Sequence, residues 1–146
     1  MECISVFDML KIGIGPSSSH TLGPWRAAER WINHLKKENN FENITSIKVD
    51  LYGSLSLTGK GHATDLALIL GLAGQDPEYI PVNDIQLLVD NVNSSNQLHF
   101  GNSYTIPFNP KIDISFNKEF LPFHANALTF RAFKNNSEVS NDTYYS

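Results

Sequence analysis

Residues 65–74, DLALILGLAG, are apolar on nearly every side of a helical projection. A helix with no polar face has to be covered on both sides. Ten residues are also too few to cross a bilayer, which takes about 20. The segment therefore predicts an interior helix in a domain with layers above and below it. Just upstream, SIKVDLYGSLSLTG alternates, with Ile47, Val49 and Leu51 on one side and Lys48, Asp50 and Tyr52 on the other. That period of two predicts a strand with one buried face, bulged at Gly53.

A second helix is expected from about residue 21 to 37. Trp25, Ala28, Ile32 and Leu35 recur at i, i+3, i+7 and i+10, one face of a 3.6-residue period. Pro24 is compatible with its first turn, and Lys36 and Lys37 complement the dipole at its end. The Ser-rich stretch before it reads as a loop with a capping signal. In the second half, Ile85, Leu87 and Val89 alternate, as do Ile112, Ile114 and Phe116, and Leu128, Phe130 and Ala132. These predict short strands, with NVNSSN, FNP and FKNNSEVSND as turns. The expected fold class is α+β, a mixed sheet with helices packed on one face, in the order α-β-α-β-β-β. No internal repeat is present.

The chain has 146 residues, 41% of them hydrophobic and 18% charged, which fits a single packed domain. Eleven basic against 15 acidic residues give a net charge of −4, so no nucleic-acid partner is expected. No apolar run suits a membrane span, and the N-terminus lacks the basic region of a signal peptide. The single cysteine, Cys3, excludes an internal disulfide framework and is consistent with a cytoplasmic setting. One thiol also cannot hold an iron–sulfur cluster, which takes several. The chain ends at TYYS without a polar tail, and a downstream domain is expected there.

Two segments share one design, a Gly- and hydroxyl-rich turn with a histidine at the start of a helix. They are Gly15-Pro16-Ser17-Ser18-Ser19-His20-Thr21 and Thr58-Gly59-Lys60-Gly61-His62-Ala63-Thr64-Asp65. Amide groups at a helix start are unpaired and sit at the positive end of the dipole, so such turns favour carboxylate or phosphate. Hydroxyls add donors, and a neutral imidazole accepts a proton near pH 7. Neither turn has nucleotide-loop spacing. Each has a plainer reading as a helix cap, with His20 or His62 an ordinary surface residue and Lys60 solvated. In a third segment, Phe123-His124-Ala125-Asn126, His124 and Asn126 are two apart and share one strand face. Its plainer reading is a turn residue and an Asn cap. His34 is expected to face solvent, and His99 and Cys3 sit in no motif.

Taken together and in order, SVFDMLKIGIGPSSSHTLGPWRAA, DLYGSLSLTGKGHATDLALILGLAG and FHANALTFRAF resemble the N-terminal (beta) domain of iron–sulfur-dependent L-serine dehydratases. The resemblance runs over about residues 4–146. It departs at Ala63, where the family usually has Gly, and around Asn126, where Pro and Gly are usual. It implies a single beta domain over residues 1–146, in an enzyme that converts L-serine to pyruvate and ammonia. It also implies a 4Fe–4S cluster on an alpha domain absent from this chain, whose open iron would act as a Lewis acid on the serine hydroxyl while a base takes the Cα proton. Carried onto this sequence, His62 is the first candidate for that base and His20 the second. Ser17, Ser18, Ser19, Thr21, Gly61, His124 and Asn126 would line the substrate cleft. The chain holds no metal ligand set of its own. The partners implied are L-serine and the alpha domain, and a homodimer is expected. The competing reading is a regulatory module that binds serine without taking part in chemistry.

Overall fold

A computed structural model of the chain describes residues 18–59, 63–117 and 126–145. The elements in order are α1 (Ser18–Lys37), a 3-10 turn (Phe41–Asn43), β1 (Ser46–Gly53), α2 (Ser54–Gly59), α3 (Ala63–Leu72) and α4 (Val82–Ser95). They continue with β2 (Gln97–Phe100), β3 (Tyr104–Pro107), α5 (Pro110–Asp113), β4 (Ile114–Asn117), β5 (Asn126–Lys134) and β6 (Ser137–Tyr145). The class is α+β, as expected, in a longer order than the six elements read from the sequence.

The main sheet runs β4-β1-β5-β6 and is mixed: β4 is parallel to β1, while β5 is antiparallel to both β1 and β6. Register explains why β1 alternates. Ile47, Val49 and Leu51 lie opposite Ala132, Phe130 and Leu128, and all six are buried. The side chains between them, Lys48 and Asp50 opposite Arg131 and Thr129, form the other face. There Asp50 and Arg131 pair at 3.1 Å.

Helix α1 covers the apolar face. Its predicted stripe of Trp25, Ala28, Ile32 and Leu35 is buried, and Trp31 joins it. The Trp31 ring stacks on Phe130 at 4.9 Å and meets Phe100 at 6.1 Å. Its indole N–H donates to Asp142 Oδ2 at 3.2 Å, which pins the edge strand β6 to the helix. Removing so large a buried ring costs about 3–5 kcal/mol in comparable cores. Helix α3 is the interior helix read from its composition, with Ala67, Leu68, Ile69, Leu70 and Leu72 buried.

Several expectations need correction. Helix α1 starts at Ser18, so Ser18 and Ser19 belong to its first turn rather than to a loop. Pro24 then falls in the second turn, and its missing N–H leaves the carbonyl of residue 20 without the usual i+4 donor. The strand ends at Gly53 instead of continuing through a bulge, because Gly53 takes φ +66° and turns the chain into α2.

Ile85, Leu87 and Val89 are not a strand. They belong to α4, where Ile85, Val89 and Val92 form the buried stripe at i, i+4 and i+7, and Leu87 is 62% exposed. Ile112 likewise lies in α5, exposed, and β4 begins only at Ile114. SEVSND, read as a turn, is the body of β6. The β2–β3 hairpin was not read at all. Its turn carries Gly101 and Asn102, both at positive φ, and Phe100 packs on Phe41 at 4.9 Å.

Candidate functional site at one end of the sheet

The chain direction of each element decides which segments meet. Parallel strands β1 and β4 finish together, with Tyr52 opposite Asn117. Antiparallel β5 begins at that same edge, where Asn126 faces Gly53. Helix α1 ends at Lys37, and only the 3-10 turn separates it from the first residue of β1, so α1 runs toward the opposite edge.

Helix α3 advances in the same direction as α1. Gly71 packs against Trp25 and Ala28, so closely that an added Cβ would lie 2.8 Å from the Ala28 methyl. At the end of α3 the Leu72 carbonyl accepts from the Gly101 N–H at 2.8 Å, and the Gly101 carbonyl accepts from Lys36 Nζ at 3.4 Å, near the end of α1. The two helices therefore start at one end, the end where β1 and β4 finish and β5 begins. Two helix starts and a strand start converge there.

The candidate residues fall into three groups. Ser18, Ser19, His20 and Thr21 occupy the first turn of α1. Asn126 opens β5 and is half-buried. Its Oδ1 accepts a hydrogen bond from the Ser54 hydroxyl. Ser17, Gly61, His62 and His124 lie outside the described residues, although Ala63 and Asn126 next to them are at this edge. Thr64, at the start of α3, is buried, and Asp65 supplies the acidic group that suits a helix N-terminus.

The other histidines are elsewhere. His34 stands near the far end of α1, 3.3 Å from Glu38 and 4.0 Å from Asp142, and is half-exposed as expected. His99 is on β2, exposed and 3.5 Å from the Thr105 hydroxyl. A hollow of about 400 Å3 between α4 and the hairpin, lined by Leu88, Val92, Leu98 and His99, includes none of the predicted site residues.

Among the described residues, Tyr104, Tyr144 and Glu29 hold their protons more tightly than usual, and Tyr144 lies opposite Leu128 at the same end of the sheet as Asn126. Burial raises Tyr104, whose hydroxyl donates to the carbonyls of Phe41 and Ile44 at 2.6 and 2.7 Å. Burial likewise raises Tyr144 and Glu29, with Arg26 opposing the shift at Glu29. Among the described residues no group of three or more His, Cys, Asp or Glu could hold a metal ion. No described helix is long and apolar enough to cross a membrane. Ser54 was not singled out from the sequence. Its only signal is a hydroxyl directly after the glycine that ends an alternating strand.

The fold thus defines an α+β domain in which the starts of two helices and a strand lie at one end of the sheet. The chain belongs to the serine dehydratase beta chain family, whose model matches residues 5–146. It is 44% identical over 145 residues to an L-serine dehydratase of Haemophilus influenzae, covering 98% of this chain and 32% of that protein. Over 144 residues it is 44% identical to L-serine dehydratase TdcG of Escherichia coli, with the same coverage. It is 38% identical over 147 residues to the L-serine dehydratase of Helicobacter pylori, covering all of this chain and 32% of that one. The chain spans about a third of the length of these relatives.

Proposed function

We propose that residues 1–146 form the beta domain of an L-serine dehydratase, a cytoplasmic lyase that makes pyruvate and ammonia from L-serine, and that this domain supplies the substrate-holding wall of the active site. The observation that carries the reading is the gathering of the α1, α3 and β5 starts at one sheet edge in a chain matched by the family over nearly its whole length.

The chemistry of that edge suits a small zwitterion. Amide groups and serine hydroxyls at the start of α1 offer donors to a carboxylate, with Ser17, Ser18, Ser19 and Thr21 as the residues concerned. Gly61, His124 and Asn126 complete the wall. His62 takes the Cα proton on a neutral imidazole, and His20 is the second candidate for that step.

An iron–sulfur cluster does not fit the donors of this chain. Cys3 is its one cysteine, and the described residues bring no ligand group together. In this reading the cluster belongs to a separate alpha domain. A homodimer of the assembled enzyme completes the proposal.

The test is His62→Ala in the assembled dehydratase. Loss of turnover by about 100-fold or more, with the cluster absorbance intact, is the expected result for removal of a general base. Wild-type turnover would overturn the assignment. Unchanged turnover together with saturable L-serine binding to this domain by calorimetry would instead establish a regulatory module.

A further inference from the structure

The two edges of the main sheet are finished differently. A sheet edge exposes a row of backbone N–H and C=O groups, and proteins commonly shorten or blunt it. Strand β4, at one edge, has four residues. Strand β6, at the other, has nine, with no Pro, Lys or Arg among them. Its one irregularity is the register shift opposite Ala132 and Phe133, which leaves residues 140–145 in regular pairing with β5.

That regular run is also held from behind. Asp142 accepts from the Trp31 indole and the Ser140 hydroxyl, and the Thr143 and Thr129 hydroxyls bond at 2.8 Å. Among the described residues the backbone of 140–144 bonds only to β5. Every second residue of the run therefore keeps an N–H and a C=O pointing outward.

Such an edge takes another strand, and a second copy of β6 can supply it, antiparallel across a twofold axis. Directly opposite residues share one face of the sheet, so the axis passes through a residue position and not between two. An axis at 142 would set two Asp142 carboxylates against each other. An axis at 141 or 144 uses only residues 140–142 or 143–145 of the regular run. With the axis at Thr143, residues 141–145 pair throughout, and Asp142 falls opposite Tyr144 of the second copy. Arg30 is exposed and acts electrostatically on the Tyr144 hydroxyl. The same register thus brings Asp142 of the second copy toward an opposite charge.

We propose that two copies join through the outer edges of their β6 strands, antiparallel about Thr143, so that their sheets become one with the helices of both copies on the same side. This names the surface of the homodimer in the reading above and rests on that reading for the assembled enzyme.

Cysteine cross-linking in the assembled dehydratase tests it. Opposed Cα atoms in an antiparallel pair are about 4.5–5.5 Å apart, within the span of a disulfide. Under mild oxidation Thr143→Cys forms a covalent dimer, with the bond between the two positions 143 identified by mass spectrometry of the joined peptides. Asn141→Cys alone does not, because its counterpart lies about 14 Å further along the strand. Asn141→Cys combined with Tyr145→Cys links again. Those two positions are about 14 Å apart within one copy, so the bond joins two copies.

A link from Asn141→Cys alone would overturn the register. Absence of a link from both Thr143→Cys and the double variant, in folded enzyme, would overturn the interface. The double variant also keeps the test readable if Thr143→Cys, which loses the bond to Thr129, fails to fold. An active dehydratase without these links rejects the edge and keeps the functional assignment. A fully active His62→Ala enzyme rejects that assignment and leaves the cross-linking result standing.

Discussion

Replacing Gly71 with Ala tests the close approach of α1 and α3, on which the shared position of their first turns depends. An ideal Cβ at position 71 would lie 2.8 Å from the Ala28 Cβ, 2.9 Å from the Trp25 carbonyl oxygen and 3.2 Å from Cδ1 of the Trp25 ring. Carbon contacts are comfortable at about 3.5–4.0 Å, so the new methyl group is roughly 0.7 Å too near Ala28. Neither a short Ala side chain nor a helix carbonyl can swing aside, and the helices themselves must separate. Overpacking of this kind costs about 1–3 kcal/mol. Helix propensity opposes it by less than the roughly 1 kcal/mol of a helix interior, since Gly71 is the next-to-last residue of α3. Two contacts to unyielding atoms place the steric cost at the upper end, which leaves about 1–2 kcal/mol of net destabilisation. For a chain of this size that is a fall in Tm of about 3–8 °C. Thermal melting followed by circular dichroism, with urea midpoints at constant m-value, measures it. Adding Ala28→Gly removes the nearest collision, so that change should cost less in the Gly71→Ala protein than in wild type. A Gly71→Ala protein that melts above wild type would refute the packing argument.

The Tyr104 hydroxyl shares its one proton between two backbone carbonyls, and Tyr104→Phe is expected to lose about 1–2 kcal/mol in urea unfolding. Burial raises the Tyr104 pKa above its ordinary value of 10.0. The folded state therefore holds the phenolic proton more tightly than the unfolded chain. That contribution is fully present below about pH 10 and is lost as pH climbs through the raised value, so alkaline titration of wild type should fall more steeply than that of the Phe variant. Asp142 accepts from the Trp31 indole at 3.2 Å and from the Ser140 hydroxyl at 2.6 Å. Asp142→Asn weakens both, by about 1 kcal/mol together, and should raise amide exchange in β6 before the rest of the sheet. Uniform exchange rates across all four strands would count against that latch.

Much of the core was legible in the residues. The α1 stripe of Trp25, Ala28, Ile32 and Leu35, the alternation of Ile47, Val49 and Leu51, and the all-round apolar run of α3 each carry a period that only one element can use. Short apolar runs do not. Ile85, Leu87 and Val89 satisfy a period of two as well as part of a helical turn. Contact with the core selects Ile85, Val89 and Val92 and leaves Leu87 in solvent. Strand β6 has no apolar period to read, because it is an edge strand specified by its hydrogen bonds to β5 rather than by burial of its own side chains.

The same division holds at the candidate site. The histidine-bearing turns stand out locally, since their glycines, hydroxyls and imidazoles declare their chemistry wherever they are placed. That the starts of α1, α3 and β5 share one edge is invisible along the chain. It follows from the parallel pairing of β1 with β4, the antiparallel pairing of β1 with β5, and the hydrogen bonds through Gly101 that set the end of α3 beside the end of α1. Composition specifies what each turn can bind. Chain direction and long-range pairing bring the starts of α1, α3 and β5 to one end of the sheet.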